Sequence, residues 1–119
     1  MSENRFDLEE RTTRFSENIV ELCKSIKLET ITEPIIKQLV RAGTSVGANY
    51  MEANNACSKK DFKNKIFICK KEIRETRYWI QILQKAVASK IENVNLVKQE
   101  ALELNLIFQK IITTLEKGH

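Results

Sequence analysis

Phe62-Lys63-Asn64-Lys65-Ile66-Phe67-Ile68-Cys69-Lys70-Lys71-Glu72-Ile73-Arg74-Glu75-Thr76-Arg77-Tyr78-Trp79-Ile80-Gln81-Ile82-Leu83 is the stretch that decides the fold. Within it Phe62, Ile66, Cys69, Ile73, Thr76, Ile80 and Leu83 recur at spacings of 4-3-4-3-4-3, and Val87 adds one more step of four. That is a helical period with one stripe turned toward a core. No glycine or proline interrupts it. Ser58-Lys59-Lys60-Asp61 just ahead has the outline of a capping box, with Asp where Glu is preferred.

The same period extends outward in both directions. Leu8, Thr12, Phe15, Ile19, Leu22 and Ile26 form one seam, and Ile36, Leu39, Gly43, Val46, Tyr50 and Ala53 form a second. Beyond the decisive stretch, Val97, Ala101, Leu104, Phe108, Ile111 and Leu115 form a fourth. Thr32-Glu33-Pro34 places a capping residue before a proline in the tolerated first turn, and Glu92 or Asn93 can open the last helix. The expected helices cover about 6–28, 33–55, 59–88 and 94–116, with Glu116 onward expected to fray. Short connections favour antiparallel neighbours. The expectation is an all-α, up-down-up-down antiparallel four-helix bundle, a single domain over residues 1–119. One proline and three glycines are too few for an all-β chain with many tight turns.

The decisive helix also carries the charge. From Lys59 to Arg77 there are eight basic residues (Lys59, Lys60, Lys63, Lys65, Lys70, Lys71, Arg74, Arg77) and three acidic ones (Asp61, Glu72, Glu75), a net +5. The whole chain is +4, so the remainder stands at −1. At about 100° per residue, Lys59, Lys63, Lys70, Arg74 and Arg77 share a sector of roughly 60°, with Lys60 and Lys71 at its edge. Phe67 and Tyr78 project into that sector. Clustered cations point to a polyanion, and aromatic rings among them can stack on unpaired bases. The same rings could instead pack against another subunit. Trp79 with Ile68 and Ile82, and Leu102 with Leu106, form apolar strips outside the main seams and argue for self-association.

The second helix is poor helix material. Arg41-Ala42-Gly43-Thr44-Ser45-Val46-Gly47-Ala48-Asn49 contains two glycines, each costing up to ~1 kcal/mol relative to Ala. Gly43 and Gly47 lie one turn apart and so favour close approach of another helix. Arg41, Ser45, Asn49 and Glu52 make a polar stripe. Two readings are open: a solvated outer face, or a hydrogen-bonded seam between subunits.

Much chemistry is missing. The sole histidine, His119, is terminal and could be native or a tag remnant; either way it offers no ordered site a general base or a metal ligand. Cys23, Cys57 and Cys69 show no C-x-x-C spacing, so the expectation is reduced thiols with neither disulfide nor zinc. There is no phosphate-binding glycine loop and no nucleophile elbow. The reading is of a protein that is not an enzyme and uses no cofactor or metal. No apolar run approaches the ~18 residues of a membrane span, and residues 1–7 lack a secretory apolar core. The expected compartment is the cytoplasm.

Three blocks carry a family resemblance: Gln38-Leu39-Val40-Arg41-Ala42-Gly43-Thr44-Ser45-Val46-Gly47-Ala48-Asn49 with Glu52-Ala53; Ser58-Lys59-Lys60-Asp61-Phe62; and Lys70 to Ile80. Together they resemble the bacterial four-helix-bundle family encoded in intervening sequences of 23S ribosomal RNA genes, also called the S23 ribosomal protein family. The resemblance spans nearly the whole chain and is most specific in the second and third helices. The motif residues are Gly43, Ser45, Gly47, Asn49, Glu52, Asp61, Phe62, Glu72, Glu75, Tyr78 and Trp79. Tyr50-Met51 and Asn54-Asn55 depart from it, which bears on fine packing. The resemblance implies a ring-like homopentamer. It also implies a relation to the accessory protein of diversity-generating retroelements, which is basic and binds nucleic acid and a reverse transcriptase. It brings no catalytic residues.

The functional expectation is therefore a homo-oligomeric bundle binding structured nucleic acid, RNA in preference, through Lys59, Lys63, Lys70, Lys71, Arg74 and Arg77. Arg41, Gly43, Ser45, Gly47, Asn49, Glu52, Tyr78 and Trp79 are expected at packing or subunit interfaces. The rival expectation is a protein scaffold docking an acidic or polymerase partner.

Overall fold

The computed structural model describes the backbone of residues 2–118 and the side chains from Leu8 onward. Met1 and His119 lie outside the described residues. Four helices follow one another: α1 (Ser2–Lys24), α2 (Thr32–Asn54), α3 (Lys59–Ala86) and α4 (Val94–Gly118). They form a rod of 49 × 22 × 20 Å. Sequential helices are neighbours, and α4 returns to α1; across the diagonals no backbones approach closely among the described residues, and side chains meet in the core. Cross-links fix the directions. Ser16 donates to the Gly43 carbonyl at 3.0 Å and Asn54 to Glu9 at 2.7 Å, so α1 and α2 run antiparallel. Arg41 reaches Glu72, and Lys65 reaches Glu52 at 2.6 Å, so α2 and α3 do too. Lys63 meets Glu116 at 3.3 Å across α3 and α4. Arg11 forks onto Glu100 and Glu103, each at 2.7 Å, and ties α4 back to α1. That last pair of helices is the least closely packed of the four, which gives the fork a joint to close.

The core is the set of seams the period marks. Phe15, Ile19, Leu39, Val46, Tyr50, Ile66, Ile73, Ile80, Leu83, Leu104 and Phe108 are buried. Tyr50, one of the departures from the family pattern, tilts against Phe108 with ring centroids 6.3 Å apart. Burying such side chains is worth roughly 1.5–3 kcal/mol each. Gly43 and Gly47 face α1. A Cβ on Gly43 would lie 2.7 Å from Ile19 Cγ2, and one on Gly47 would lie 3.0 Å from Ser16 Oγ and 3.2 Å from the Thr12 carbonyl oxygen. The weak helix formers of α2 are the condition for that approach.

Several expectations need correction. The first helix stops at Lys24, not 28. Ser25 and Ile26 close its last turn on the carbonyls of Leu22 and Cys23. Thr32 is not the cap of α2. Its hydroxyl takes the Glu29 amide at 2.8 Å and donates to the Lys27 carbonyl at 2.7 Å, which locks the connecting loop. The seam of α4 passes through Ile112, with Ile111 and Leu115 only half-buried. A straight helix drifts by ~20° per heptad against a strict 3.5-residue repeat, so two heptads turn Ile111 about 40° off the line of the seam and bring Ile112 into contention. The helix also continues to Gly118 instead of fraying from 116. Trp79 and Ile82, outside the main seam, pack partly buried against the chain's own core.

The cysteines are free thiols among the described residues, with Cys23 and Cys69 buried and Cys57 exposed. Burial pushes the Cys69 thiol up to about 12 and Cys23 up to about 11. Both stay protonated well past neutrality and are poor nucleophiles. A thiol-specific chromogenic reagent should titrate one fast thiol, Cys57, in the native protein and three after denaturation. Stability from these thiols is complete below the ordinary value of 9.0 and is lost as pH rises toward the folded values, because the unfolded chain releases its protons first.

Candidate nucleic-acid interface

The orientation of α3 is fixed at its start and along its length. Ser58, in extended conformation at φ −148°, accepts the Asp61 amide on its hydroxyl at 3.0 Å, and the Phe62 amide bonds its carbonyl at 2.9 Å. Ile66, Cys69, Ile73, Thr76, Ile80 and Leu83 then hold one side in the core. Everything on the opposite side is committed to the surface.

Two flanks of α3 differ in electrostatics. On the α2 flank, Arg41 engages Glu72 at 3.3 Å and also pairs with Glu75, while Glu52 takes Lys65 at 2.6 Å. Glu72 is nearly buried, its side chain only 9% exposed. The hydrogen bond that Arg41 donates to Glu75, ahead of the attraction of Glu72, holds the guanidinium above its ordinary value, and the bond Lys65 donates to Glu52 does the same for Lys65. The polar stripe of α2 is therefore neither an idle face nor a row of unpaired groups. Arg41 and Glu52 are cross-links to α3, and Ser45 and Asn49 bond to carbonyls of their own helix, those of Arg41 and Ser45. Replacing Arg41 by Met should destabilise the fold by about 2 kcal/mol, because Glu72 would keep its burial and lose its partner. Glu75→Gln, at an exposed position, should cost under ~1 kcal/mol by the same chemical denaturation measurement.

On the outer face of α3 and its α4 flank the charge is left over. Lys71, Arg74 and Arg77 are exposed, Lys70 is half-buried, and none of the four has an ion-pair partner among the described residues. Lys70, Lys71 and Arg74 line an open groove of about 470 Å³ with Phe67, Glu75 and Tyr78. A second groove of about 360 Å³ lies between α3 and α4, bounded by Arg74, Arg77, Tyr78, Gln81, Lys98 and Leu102. The two share Arg74 and Tyr78, so they form one continuous surface.

Two of the expected phosphate ligands, Lys59 and Lys63, line neither groove. Lys63 is held by Glu116 at 3.3 Å, and Lys59 stands eleven residues before Lys70, roughly 16 Å along the helix. Lys98 is a member of the surface that the basic sector of α3 does not reveal. A signal for it exists in the sequence. The connection between α3 and α4 is centred near residue 90, and folding an antiparallel hairpin about that point sets Lys98 level with Gln81 and Ile82. Among the described residues no group of three or more His, Cys, Asp or Glu is placed to hold a metal ion, and no helix is long and apolar enough to cross a membrane.

Residues 5–110 match the family model described as 23S rRNA-intervening sequence protein, a span reaching into all four helices. The chain belongs to that family. A similar solved structure is a protein of unknown function from the S23 ribosomal protein family of Bacteroides thetaiotaomicron. It is 31% identical, covers 92% of this chain and 98% of its own, and superposes with a TM-score of 0.78. No curated protein matches the chain. The match to the 23S rRNA-intervening sequence family covers the four-helix fold seen here.

Proposed function

We propose that this member of the 23S rRNA-intervening sequence family is a non-enzymatic, cytoplasmic, homo-oligomeric protein that binds structured RNA through the α4 flank of α3. One observation carries the reading: Lys70, Lys71, Arg74 and Arg77 stand together without ion-pair partners among the described residues, while Glu72 and Glu75 of the same helix are paired with Arg41. Unneutralised cations at this density attract phosphate and release its counterions. Lys98 extends the surface onto α4. Self-association is supported by Leu102 and Leu106, exposed one turn apart on α4. A five-fold ring and kinship with the retroelement accessory protein rest on the family resemblance alone.

The test is fluorescence anisotropy with a structured ribosomal RNA fragment beside a DNA duplex of equal length, titrated with salt. Micromolar or tighter RNA binding, with log affinity falling steeply against log salt, is the expected result. Absence of binding at low salt from a folded protein would reject it. A second reading, docking of an acidic protein partner, is favoured by the apolar Leu102 in the wall of the second groove. It requires a partner that remains bound after nuclease treatment.

A further inference from the structure

We infer that the part of the nucleic acid held by this surface is an unpaired strand, with bases stacked on Phe67 and Tyr78 and phosphates on the cations between them. The inference rests on the RNA-binding reading and says which feature of the ligand is gripped. Phe67 is 44% exposed and Tyr78 55%, although α3 already has a complete apolar seam on its other side. Neither ring contributes to the core. They are eleven residues apart, three turns of helix, so they share a face within about 20° and stand roughly 16 Å apart along it. Lys70, Lys71 and Arg74 fill the interval and line the same groove as both rings.

Tyr78 is braced. Its ring meets Trp79 edge-on, with centroids 5.0 Å apart and an interplanar angle of 76°. Trp79 in turn is packed against the core. The tyrosine thus has a fixed support, unlike a side chain free to swing in solvent, and it stands where the two grooves join.

A paired helix makes poor use of this arrangement. Its bases present only edges, and the major groove of A-form RNA is too deep and narrow to admit side chains to them. Rings alternating with cations match a strand whose bases are splayed and whose phosphates lie alongside, on the order of four nucleotides between and around the two rings. Loops and bulges of a folded RNA supply such strands.

The experiment compares an unstructured 12-nucleotide RNA with a 12-base-pair RNA duplex at one salt concentration, using wild type, Phe67→Leu and Tyr78→Leu. These substitutions keep apolar bulk and charge but remove the ring. Binding is read by anisotropy and by the emission of Trp79, the only tryptophan. The expected result is at least tenfold preference for the strand, a change in Trp79 emission on binding, and a loss on the order of tenfold in strand affinity for each variant with the salt slope unchanged. Equal affinity for strand and duplex, or variants that bind the strand like wild type, would overturn the inference and leave the RNA reading standing. A loss of strand binding accompanied by a change of molecular mass in sedimentation would also overturn it, by assigning the rings to a subunit interface. No binding to either RNA would overturn the RNA reading and the inference together.

Discussion

Replacing Lys70, Arg74 and Arg77 together by Gln is expected to lower RNA affinity on the order of 100-fold, from roughly 1 kcal/mol for each cation removed from a phosphate. The salt dependence should flatten with it. Each phosphate neutralised contributes about 0.7–0.9 to the slope of log affinity against log salt, so removing three cations lowers it by about 2–3. A purely global effect of net charge has to be separated from this local one. Lys24, Lys37 and Lys110 are exposed on other helices, and changing those three to Gln removes the same charge. That control should leave both affinity and slope close to wild type. None of the six positions lies in the core, so thermal unfolding of both variants should be nearly unchanged. Equal falls in affinity for the two triple variants would mean that the protein attracts RNA by overall charge and that the flank is not a site.

The second large effect concerns the junction that gives the bundle its shape. Gly43→Val should destabilise the protein by about 2 kcal/mol or more. The new Cβ would sit 2.7 Å from Cγ2 and 2.8 Å from Cγ1 of Ile19, a side chain with no exposure and, as a β-branched residue, little freedom to turn away. Overpacking of this kind costs about 1–3 kcal/mol and occasionally more, while relief from glycine returns only some tenths. The mechanism is tested by pairing. Ile19→Ala alone should cost about 2–5 kcal/mol as a cavity. In that background Gly43→Val fills the space and should be neutral or stabilising, so the two changes are strongly non-additive. Additive destabilisation in chemical denaturation would show that close α1–α2 approach is not what Gly43 serves.

The fold was legible because burial imposes a period. The seam from Phe62 to Leu83 placed α3 to the residue at its start, where Ser58 has the side chain that a cap requires. The misreadings fall where tertiary contact outweighs local pattern. Thr32 has the chemistry of a cap, but two loop groups, the Glu29 amide and the Lys27 carbonyl, compete for its hydroxyl and win. Ile111 satisfies the repeat that Ile112 satisfies in space. At the site, the basic sector could be counted from the sequence, because residues on one helix face are related by arithmetic. Which of those cations remain unneutralised could not. Lys63 and Lys70 look alike in sequence, and only the arrival of Glu116 from α4 distinguishes them. The fate of Glu72 and Glu75 likewise depends on Arg41 of α2, whose spacing alone puts it in a polar stripe with Ser45 and Asn49.

In the proposed function, the α4 flank of α3, extended by Lys98, is the surface that meets RNA. Lysine footprinting tests it most directly. The native protein is acetylated briefly with and without saturating RNA, and the modification of each lysine is read by mass spectrometry. Lys70, Lys71 and Lys98 should be strongly protected, with Lys24, Lys37 and Lys110 labelled as in the free protein. Protection spread evenly over all lysines, or centred on Lys37 and the outer face of α2, would contradict it.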